Sequence, residues 1–173
     1  MSQRSVHLSL ARWALLGLLA EQPRHGFALT KLLAPRGEVG QLWSVPISAV
    51  YRSLAGLEQA GLVRATSIEA SYLGPQRTVY AITDVGGRIL EAWLGEPVSH
   101  VRDVRSELML KLLLLERSNQ SHHALLDAQR ERFAEVVAAL EDTAPQAGVL
   151  GHWRLENARA VIRFLAAARQ QMA

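Results

Sequence analysis

The chain of 173 residues contains no cysteine. Disulfide bonds and thiolate metal sites are therefore excluded, and the composition is consistent with a reducing compartment. No apolar run reaches the length of about 20 residues that a membrane-spanning helix needs. The segment that comes closest, 108–116, is interrupted by Lys111. We expect a protein without membrane segments that works in the cytoplasm.

Sequence motifs that carry catalysis are also missing. There is no glycine-rich phosphate loop, no nucleophile elbow and no pair of carboxylates in an apolar setting. The segment GEVGQLWS (37–44) has glycines, but no Lys-Ser or Lys-Thr follows them. His122 and His123 are adjacent, so on a helix they point about 100° apart and cannot converge on one metal ion. We expect no enzyme, no metal site and no cofactor.

Charge is distributed unevenly along the chain, whose formal net charge is +3. Residues 1–95 contain nine Lys and Arg against six Asp and Glu, whereas residues 96–173 contain ten of each kind. A positive excess confined to the first half indicates an anionic partner for that half. Ordinary variation of surface charge explains so small an excess equally well.

The spacing of apolar residues changes along the first half. It predicts three helices, a two-stranded hairpin with Gly74-Pro75 at its turn, and a fourth helix capped by Thr83. In chain order these elements are helices at 8–22, 27–33 and 44–60, strands at 62–69 and 78–83, and a helix at 84–94. Gly61 ends the third helix as a left-handed residue, and the Gly86-Gly87 pair indicates close packing.

The second half is predicted to be helical throughout. The segment GEPVSH (95–100) separates the halves, so we divide the chain into domains 1–95 and 96–173. The helices predicted in the second domain span 103–117, 121–142 and 153–172. Between the last two, Pro145, Gly148 and Gly151 indicate a loop.

The third helix, within VPISAVYRSLAGLEQAGLV (45–63), has two different faces. With a step of 100° per residue, one stripe about 80° wide is apolar. This stripe, which we predict to face the core, consists of Ile47, Val50, Leu54 and Leu57. The opposite face carries small residues, Arg52 and Gln59, and such a bare face can approach a DNA major groove about 12 Å wide. Ser48, Tyr51 and Arg52 would then contact bases; alternatively, Tyr51 packs half-buried and Arg52 is a solvated charge.

The order of the elements favours the DNA-binding interpretation. Helix, helix-turn-helix, hairpin and helix follow one another as in a winged helix-turn-helix. The hairpin tip, with Tyr72, Gln76 and Arg77, has the polar and basic composition of a wing that lies on DNA. We therefore predict a mainly α fold with a small β-hairpin: an N-terminal winged helix-turn-helix plus a C-terminal helical dimerisation domain.

Three segments resemble the PadR-type transcriptional regulators. They are ARWALLGLLAEQPRHGFAL (11–29), LWSVPISAVYRSLAGLEQAGLV (42–63) and GPQRTVYAITDVGGRILEAWL (74–94). The shared features are an ALLGLL-type helix, the turn His25-Gly26-Phe27, Tyr51 before the LE and GL pairs, and a wing that ends Arg77-x-x-Tyr80. More loosely, 107–115 and 152–168 resemble the first and last helices of a virulence-activator-like dimerisation domain.

The resemblance implies a homodimer that binds double-stranded DNA, mostly represses, and often releases DNA when a small molecule binds. Two-fold symmetry then predicts a palindromic operator. The predicted DNA-binding residues are Lys31, Ser44, Ser48, Tyr51, Arg52, Arg64, Tyr72, Gln76 and Arg77. Among them, Lys31, Arg64 and Arg77 are candidates for phosphate contacts.

Two further sites are predicted around the second domain. The helix 103–117 is apolar on most of its circumference, and a helix that is apolar all round must be buried. Because two other helices can hardly cover it, we expect a partner chain there, and the predicted dimerisation residues are Leu108, Leu112, Leu115, Val161 and Leu165. Aromatic groups near the junction of the two halves can hold a small planar aromatic effector or simply form core. The candidates are Trp93, His152, Trp153 and Phe164.

The sequence therefore predicts a sequence-specific DNA-binding regulator, a homodimeric repressor released by a small-molecule effector. The alternative is a winged-helix module that dimerises and binds proteins without reading DNA. Weak, salt-insensitive DNA binding would favour this alternative.

Overall fold

A computed structural model describes residues 8–69, 77–144 and 146–171. The chain forms two compact units, Met1–Leu94 and Gly95–Ala173. The predicted division lay one residue further along the chain. Within the described ranges, no helix combines the length and apolar character needed to cross a bilayer.

In its described residues, the first unit contains four helices and three short strands. The elements in chain order are α1 (Leu10–Glu21), β1 (Arg24–His25), α2 (Gly26–Leu32), α3 (Ile47–Gln59), β2 (Val63–Glu69), β3 (Arg77–Ile82) and α4 (Asp84–Gly95). The predicted order of helix, helix-turn-helix, hairpin and helix is confirmed. The core of this unit includes most of α1 and the inner faces of α2 and α3.

The sheet has three strands in the order β1-β3-β2, all antiparallel. The sequence predicted only the β2–β3 hairpin, which pairs Val63 with Ile82. Strand β1 was missed because two residues are too few to show the alternating pattern of a strand. It pairs Arg24 with Tyr80 and thereby joins the helix-turn-helix to the wing.

The end of α3 is locked to the start of α4. Gly61 has φ +70°, and the N–H groups of Gly61 and Leu62 donate to the carbonyls of Glu58 and Leu57, which is a Schellman motif. The Thr83 hydroxyl lies 2.8 Å from the Gly61 carbonyl oxygen and accepts a bond from the Gly86 N–H at 3.1 Å. A Cβ on Gly86 would collide with the Leu62 carbonyl. The predicted Thr83 cap and the close packing at Gly86 are therefore confirmed.

The second unit is helical. A 3₁₀ turn (Val101–Asp103) and a wider π-type turn (Val104–Leu108) precede α5 (Met109–Arg117), and α6 (His123–Thr143) packs against α7 (Gly148–Gln171). Helix α7 begins five residues before the predicted start. Gly151, which was predicted to lie in a loop, lies inside this helix. A Cβ at this position would meet the Ala147 Cβ at 2.6 Å, so glycine fits here because it has no side chain.

Two buried polar side chains fix the segment that opens the second unit. Lys111 is only 1% exposed, and its ammonium donates to the Glu96 carbonyl (2.6 Å) and pairs with the Glu107 carboxylate (3.0 Å). Burial lowers the pKa of Lys111, while Glu107 partly opposes this effect. The buried Gln129 amide bonds to both the N–H and the carbonyl of Val98 (2.7 and 2.9 Å). The carbonyl of Glu96 and the N–H and carbonyl of Val98, which follow α4 in the chain, thus have hydrogen-bond partners inside the second unit.

Candidate nucleic-acid interface

Helix α3 begins abruptly after a buried anchor. Val45 is buried, and its N–H donates to the Leu33 carbonyl at 3.0 Å. Pro46 is the N-cap, and no side chain caps this end of α3. The sequence analysis started this helix at residue 44, which is three residues too early. The first N–H groups of α3 therefore remain available to an anion such as a phosphate.

The two faces of α3 differ as predicted, with one exception. Val50, Leu54 and Leu57 are buried, whereas Ser48, Tyr51 and Arg52 are exposed. Ile47 was predicted to face the core, and this is wrong, because 64% of its surface is exposed. It stands at the edge of the apolar stripe, in the first turn of the helix, and the described part of the unit leaves it largely uncovered.

Tyr51 is held by the first residue of α2, Gly26. A Cβ on Gly26 would lie 2.6 Å from Cε1 of Tyr51, so the tyrosine ring occupies the space that this glycine leaves. The ring nevertheless remains 47% exposed. Burial raises the pKa of nearby Tyr80, and the charges of Glu58 and Tyr51 add to the shift. Tyr51 is therefore oriented by α2 and still presents its edge to solvent.

An exposed phenylalanine gathers basic groups from different elements. The Lys31 ammonium lies 4.7 Å and the Arg77 guanidinium 5.2 Å from the ring centre of Phe27. The His25 ring stacks on Phe27 at 6.3 Å, and its Nδ1 accepts the Ala28 N–H that starts α2. Cation–π attraction thus holds two predicted phosphate contacts, one from α2 and one from β3, against the same ring. We name Lys31, Phe27 and Arg77 the cation–aromatic cluster.

Arg12 is a basic residue that the sequence analysis missed. Its guanidinium lies directly against Gly56 of α3, where any Cβ would collide with it. The signal that could have identified this contact is a glycine inside an otherwise regular helix, a position that destabilises helices by about 1 kcal/mol. Arg12 therefore adds positive charge beside the recognition helix.

Positive charge in the first unit is largely unpaired. Arg24 forms an ion pair with Glu21 at 2.8 Å. Among the residues described, no carboxylate pairs with the other basic side chains of this unit, which are Arg12, Lys31, Arg36, Arg52, Arg64, Arg77 and Arg88. In the second unit several arginines are paired instead, such as Arg159 with Glu141 and Arg169 with Asp127. The basic excess is thus free to attract an anionic partner.

The remaining predicted DNA contacts lie on the surface or outside the described residues. Lys31, Ser44 and Arg64 are exposed, and Arg64 lies on β2 opposite Ala81. Arg77 is half-buried at the start of β3. Tyr72 and Gln76 lie outside the described residues.

The predicted effector residues belong to both units and differ in exposure. Trp93 is 7% exposed, and its ring stacks on Trp13 of the same unit at 4.5 Å, so it is a core residue and not an open ligand surface. His152 and Trp153 of α7 line an open depression of about 440 Å³ with Ala144, Gly148 and Val149. Phe164, further along α7, is exposed and is not among these lining residues.

The predicted dimerisation residues are mostly buried within the single chain. Leu108, Leu112, Leu115 and Leu165 are buried and Val161 is half-buried. The expectation that a partner chain must cover α5 is therefore wrong, since the chain covers these side chains itself. Among the described residues of the second unit, the large exposed apolar side chains lie on α7, where Val149, Trp153 and Phe164 follow one side of the helix. We call these three residues the α7 stripe.

Known proteins share this architecture and sequence. Residues 15–92 match the transcriptional regulator PadR-like family. The chain is 32% identical over 96 residues to the probable transcriptional regulator Rv1176c of Mycobacterium tuberculosis, a match that covers 56% of this chain and 49% of that protein. It is 28% identical over 136 residues to the negative transcriptional regulator PadR of Bacillus subtilis, covering 78% and 71% of the two chains.

A solved structure is similar as well. The crystal structure of Bacillus subtilis PadR in complex with operator DNA matches 95% of this chain and 100% of that chain, with a TM-score of 0.50 and 22% identity. This likeness is one of fold. The chain spans about half the length of the first of these curated relatives.

The first unit, with its winged helix-turn-helix, is similar in sequence to transcriptional regulators. Residues 15–92 are thus similar to the PadR-like family of transcriptional regulators. Among the described residues, no group of three or more His, Asp and Glu side chains could hold a metal ion.

Proposed function

We propose that the chain binds a palindromic operator as a homodimer in the cytoplasm, represses transcription, and releases DNA when a small aromatic effector binds. The exposed face of α3 carries the proposal. Ser48, Tyr51 and Arg52 share this face at its N-terminal end, with no capping side chain to compete for the first N–H groups. In a major groove, hydroxyl and guanidinium groups at these positions would contact base edges.

The cation–aromatic cluster supports phosphate contacts beside the groove. The Lys31 ammonium lies 4.7 Å and the Arg77 guanidinium 5.2 Å from the Phe27 ring centre, so the two cationic groups are close to each other. They can therefore engage neighbouring phosphates. Arg64 extends the positive surface along the wing. Such contacts position the protein without reading sequence, whereas contacts from α3 specify the site.

The α7 stripe supports the homodimer. Val149, Trp153 and Phe164 expose large apolar groups on one side of a 24-residue helix. A second copy of the same stripe is self-complementary across a two-fold axis. Two reading helices related by this axis require half-sites whose centres are about 34–36 Å, or a multiple of this distance, apart.

The depression at the start of α7 supports an effector site. Trp153 offers an aromatic face and His152 a polar ring beside it. Because Trp153 also belongs to the α7 stripe, an aromatic molecule bound there would alter the surface on which the second copy packs. Repression is suggested by the printed name of the Bacillus subtilis relative, a negative transcriptional regulator.

An operator selection tests DNA reading. Random duplexes are selected with the full chain, and the enriched sequence is assayed by mobility shift at 50 and 200 mM salt against unrelated competitor DNA. We expect an enriched palindrome whose affinity falls steeply with salt, since each phosphate contact releases counterions. Arg132→Ala, which removes a surface arginine paired with Glu135 in the second unit, should bind like the wild type. Failure to enrich any sequence would refute operator binding and favour a protein-interaction module.

A further inference from the structure

Ile47 is a large apolar side chain in an unexpected place. It is the first residue of α3, and 64% of its surface is exposed. The backbone on either side is fixed, because Val45 bonds to Leu33 and the Val50 N–H donates to the Pro46 carbonyl at 3.1 Å. The exposure of Ile47 is therefore imposed by the way α3 begins and is not the result of a loose helix end.

The surroundings of Ile47 are those of the reading face. With 100° per residue, Tyr51 lies about 40° and Ser48 about 100° around the helix from Ile47. The only acidic residue of α3 is Glu58, eleven residues further on, which corresponds to about 16 Å along the axis. No carboxylate of α3 would thus repel DNA from the end of the helix where Ile47 stands.

The chemistry of the major groove restricts what such a side chain can contact. Base edges there present hydrogen-bond donors and acceptors, and the single apolar group among them is the C5 methyl of thymine. An isoleucine can make no hydrogen bond through its side chain, so only this methyl offers it a favourable contact. Covering an apolar side chain with an apolar group also removes both surfaces from water.

We propose that Ile47 reads the C5 methyl group of one thymine in each operator half-site. This inference rests on the proposed operator binding, and it adds a specificity contact to those of Ser48, Tyr51 and Arg52. The partner is a methyl group in duplex DNA, and the unpaired basic side chains of the same unit supply the charge that brings DNA to this surface.

The experiment replaces each thymine of the selected operator, one symmetric pair at a time, by deoxyuridine. This change removes one methyl group per half-site and leaves base pairing unaltered. At one pair of positions we expect wild-type affinity to fall about fourfold per half-site, the contribution of one buried methyl group. Ile47→Ala should lose a similar factor on the unmodified operator and become insensitive to deoxyuridine at that position, whereas Ile47→Val should retain part of the sensitivity.

Ile68→Ala is the matched control. Ile68 is 65% exposed and lies in the same unit on β2, but a wing faces the backbone or the minor groove, where thymine shows no methyl group. This variant should keep the full deoxyuridine penalty. Thermal unfolding should show no loss of stability for either alanine variant, since both side chains are exposed.

The outcomes separate this inference from the proposed function. If wild-type protein enriches an operator but no thymine is sensitive to deoxyuridine, or if Ile47→Ala keeps the full penalty, the inference is wrong while operator binding stands. If no operator is enriched at all, both fail together.

Discussion

The ring of Tyr51 occupies the space that Gly26 leaves, with Cε1 at 2.6 Å from where a Cβ on residue 26 would lie. The first residue of α2 thereby sets the direction in which a proposed reading residue of α3 points. The relationship connects two sequence positions that the resemblance to the family singled out separately, the His-Gly-aromatic turn and the tyrosine of the recognition helix.

Gly26→Ala should displace the Tyr51 ring. We expect a loss of stability of about 1–3 kcal/mol, as for other small-to-large changes in packed regions, together with weaker operator binding. In the Tyr51→Ala background the same substitution should cost little, because no ring remains to be displaced. Urea unfolding and mobility shifts of the four proteins measure this coupling. Additive effects of the two changes would contradict the arrangement.

Arg52→Ala should relax sequence discrimination. A guanidinium that contacts a base edge contributes about 1–3 kcal/mol of preference at its base pair. Competition between the selected operator and single-base variants measures the preference at each position. An unchanged ratio between operator and random DNA would show that Arg52 does not read a base.

Lys31→Ala should behave differently from Arg52→Ala. A phosphate contact carries no sequence information, so affinity should fall for all duplexes alike. The slope of log affinity against log salt should decrease by about one unit for each protomer, and thus by about two for the proposed homodimer, because each protomer neutralises one phosphate fewer. Binding to operator and to random DNA at four salt concentrations gives both slopes. A weakening confined to the operator would assign Lys31 to base reading instead.

Trp153→Glu should abolish the homodimer without unfolding the chain. Trp153 is 63% exposed, so a charged side chain at this position does not disturb the core. In a homodimer that packs through the α7 stripe, the glutamates of the two copies would lie close to each other across the two-fold axis and repel. Sedimentation equilibrium should give a mass near 19.1 kDa for the variant and twice this value for wild type. Val85→Glu, an exposed apolar position on α4, is the control and should remain dimeric. A dimeric Trp153→Glu protein would remove the α7 stripe from the interface.

Lys111→Met should change how stability depends on pH. Because burial lowers the pKa of Lys111, the folded chain binds this proton less tightly than the unfolded chain does. Wild-type stability should therefore rise with pH from the lowered pKa up to the ordinary lysine pKa of 10.5, and the variant should lack this rise. Urea unfolding between pH 7.5 and 10 measures both slopes. Parallel slopes would show that Lys111 titrates normally.

Local signals in the sequence predicted much of the first unit. The capping hydroxyl of Thr83 and the left-handed Gly61 act within a few residues of their own positions, so their geometry follows from residue type. The bare face of α3 was visible for the same reason, since helical periodicity is local. Strand β1 has no such signal in its own two residues. It is a strand only because it pairs with β3, which lies far away in the sequence.

The errors concern burial that depends on distant parts of the chain. The apolar pattern of α5 shows that its leucines must be buried, but it does not show which part of the protein covers them. In the structure, Leu108 and Leu112 are already buried within the single chain. Ile47 has the apolar character of a core residue, yet its place at the start of α3 leaves it uncovered. The cation–aromatic cluster joins α2 to β3 and has no sequence signature at all.

The Thr83 hydroxyl hydrogen-bonds to both the Gly61 carbonyl and the Gly86 N–H, so the last turn of α3 and the first turn of α4 are held together at one joint. Helix α4 runs from this joint to Gly95, where the second unit starts. A displacement of the first turn of α4 would therefore also displace the last turn of α3, the helix that carries Ser48, Tyr51 and Arg52.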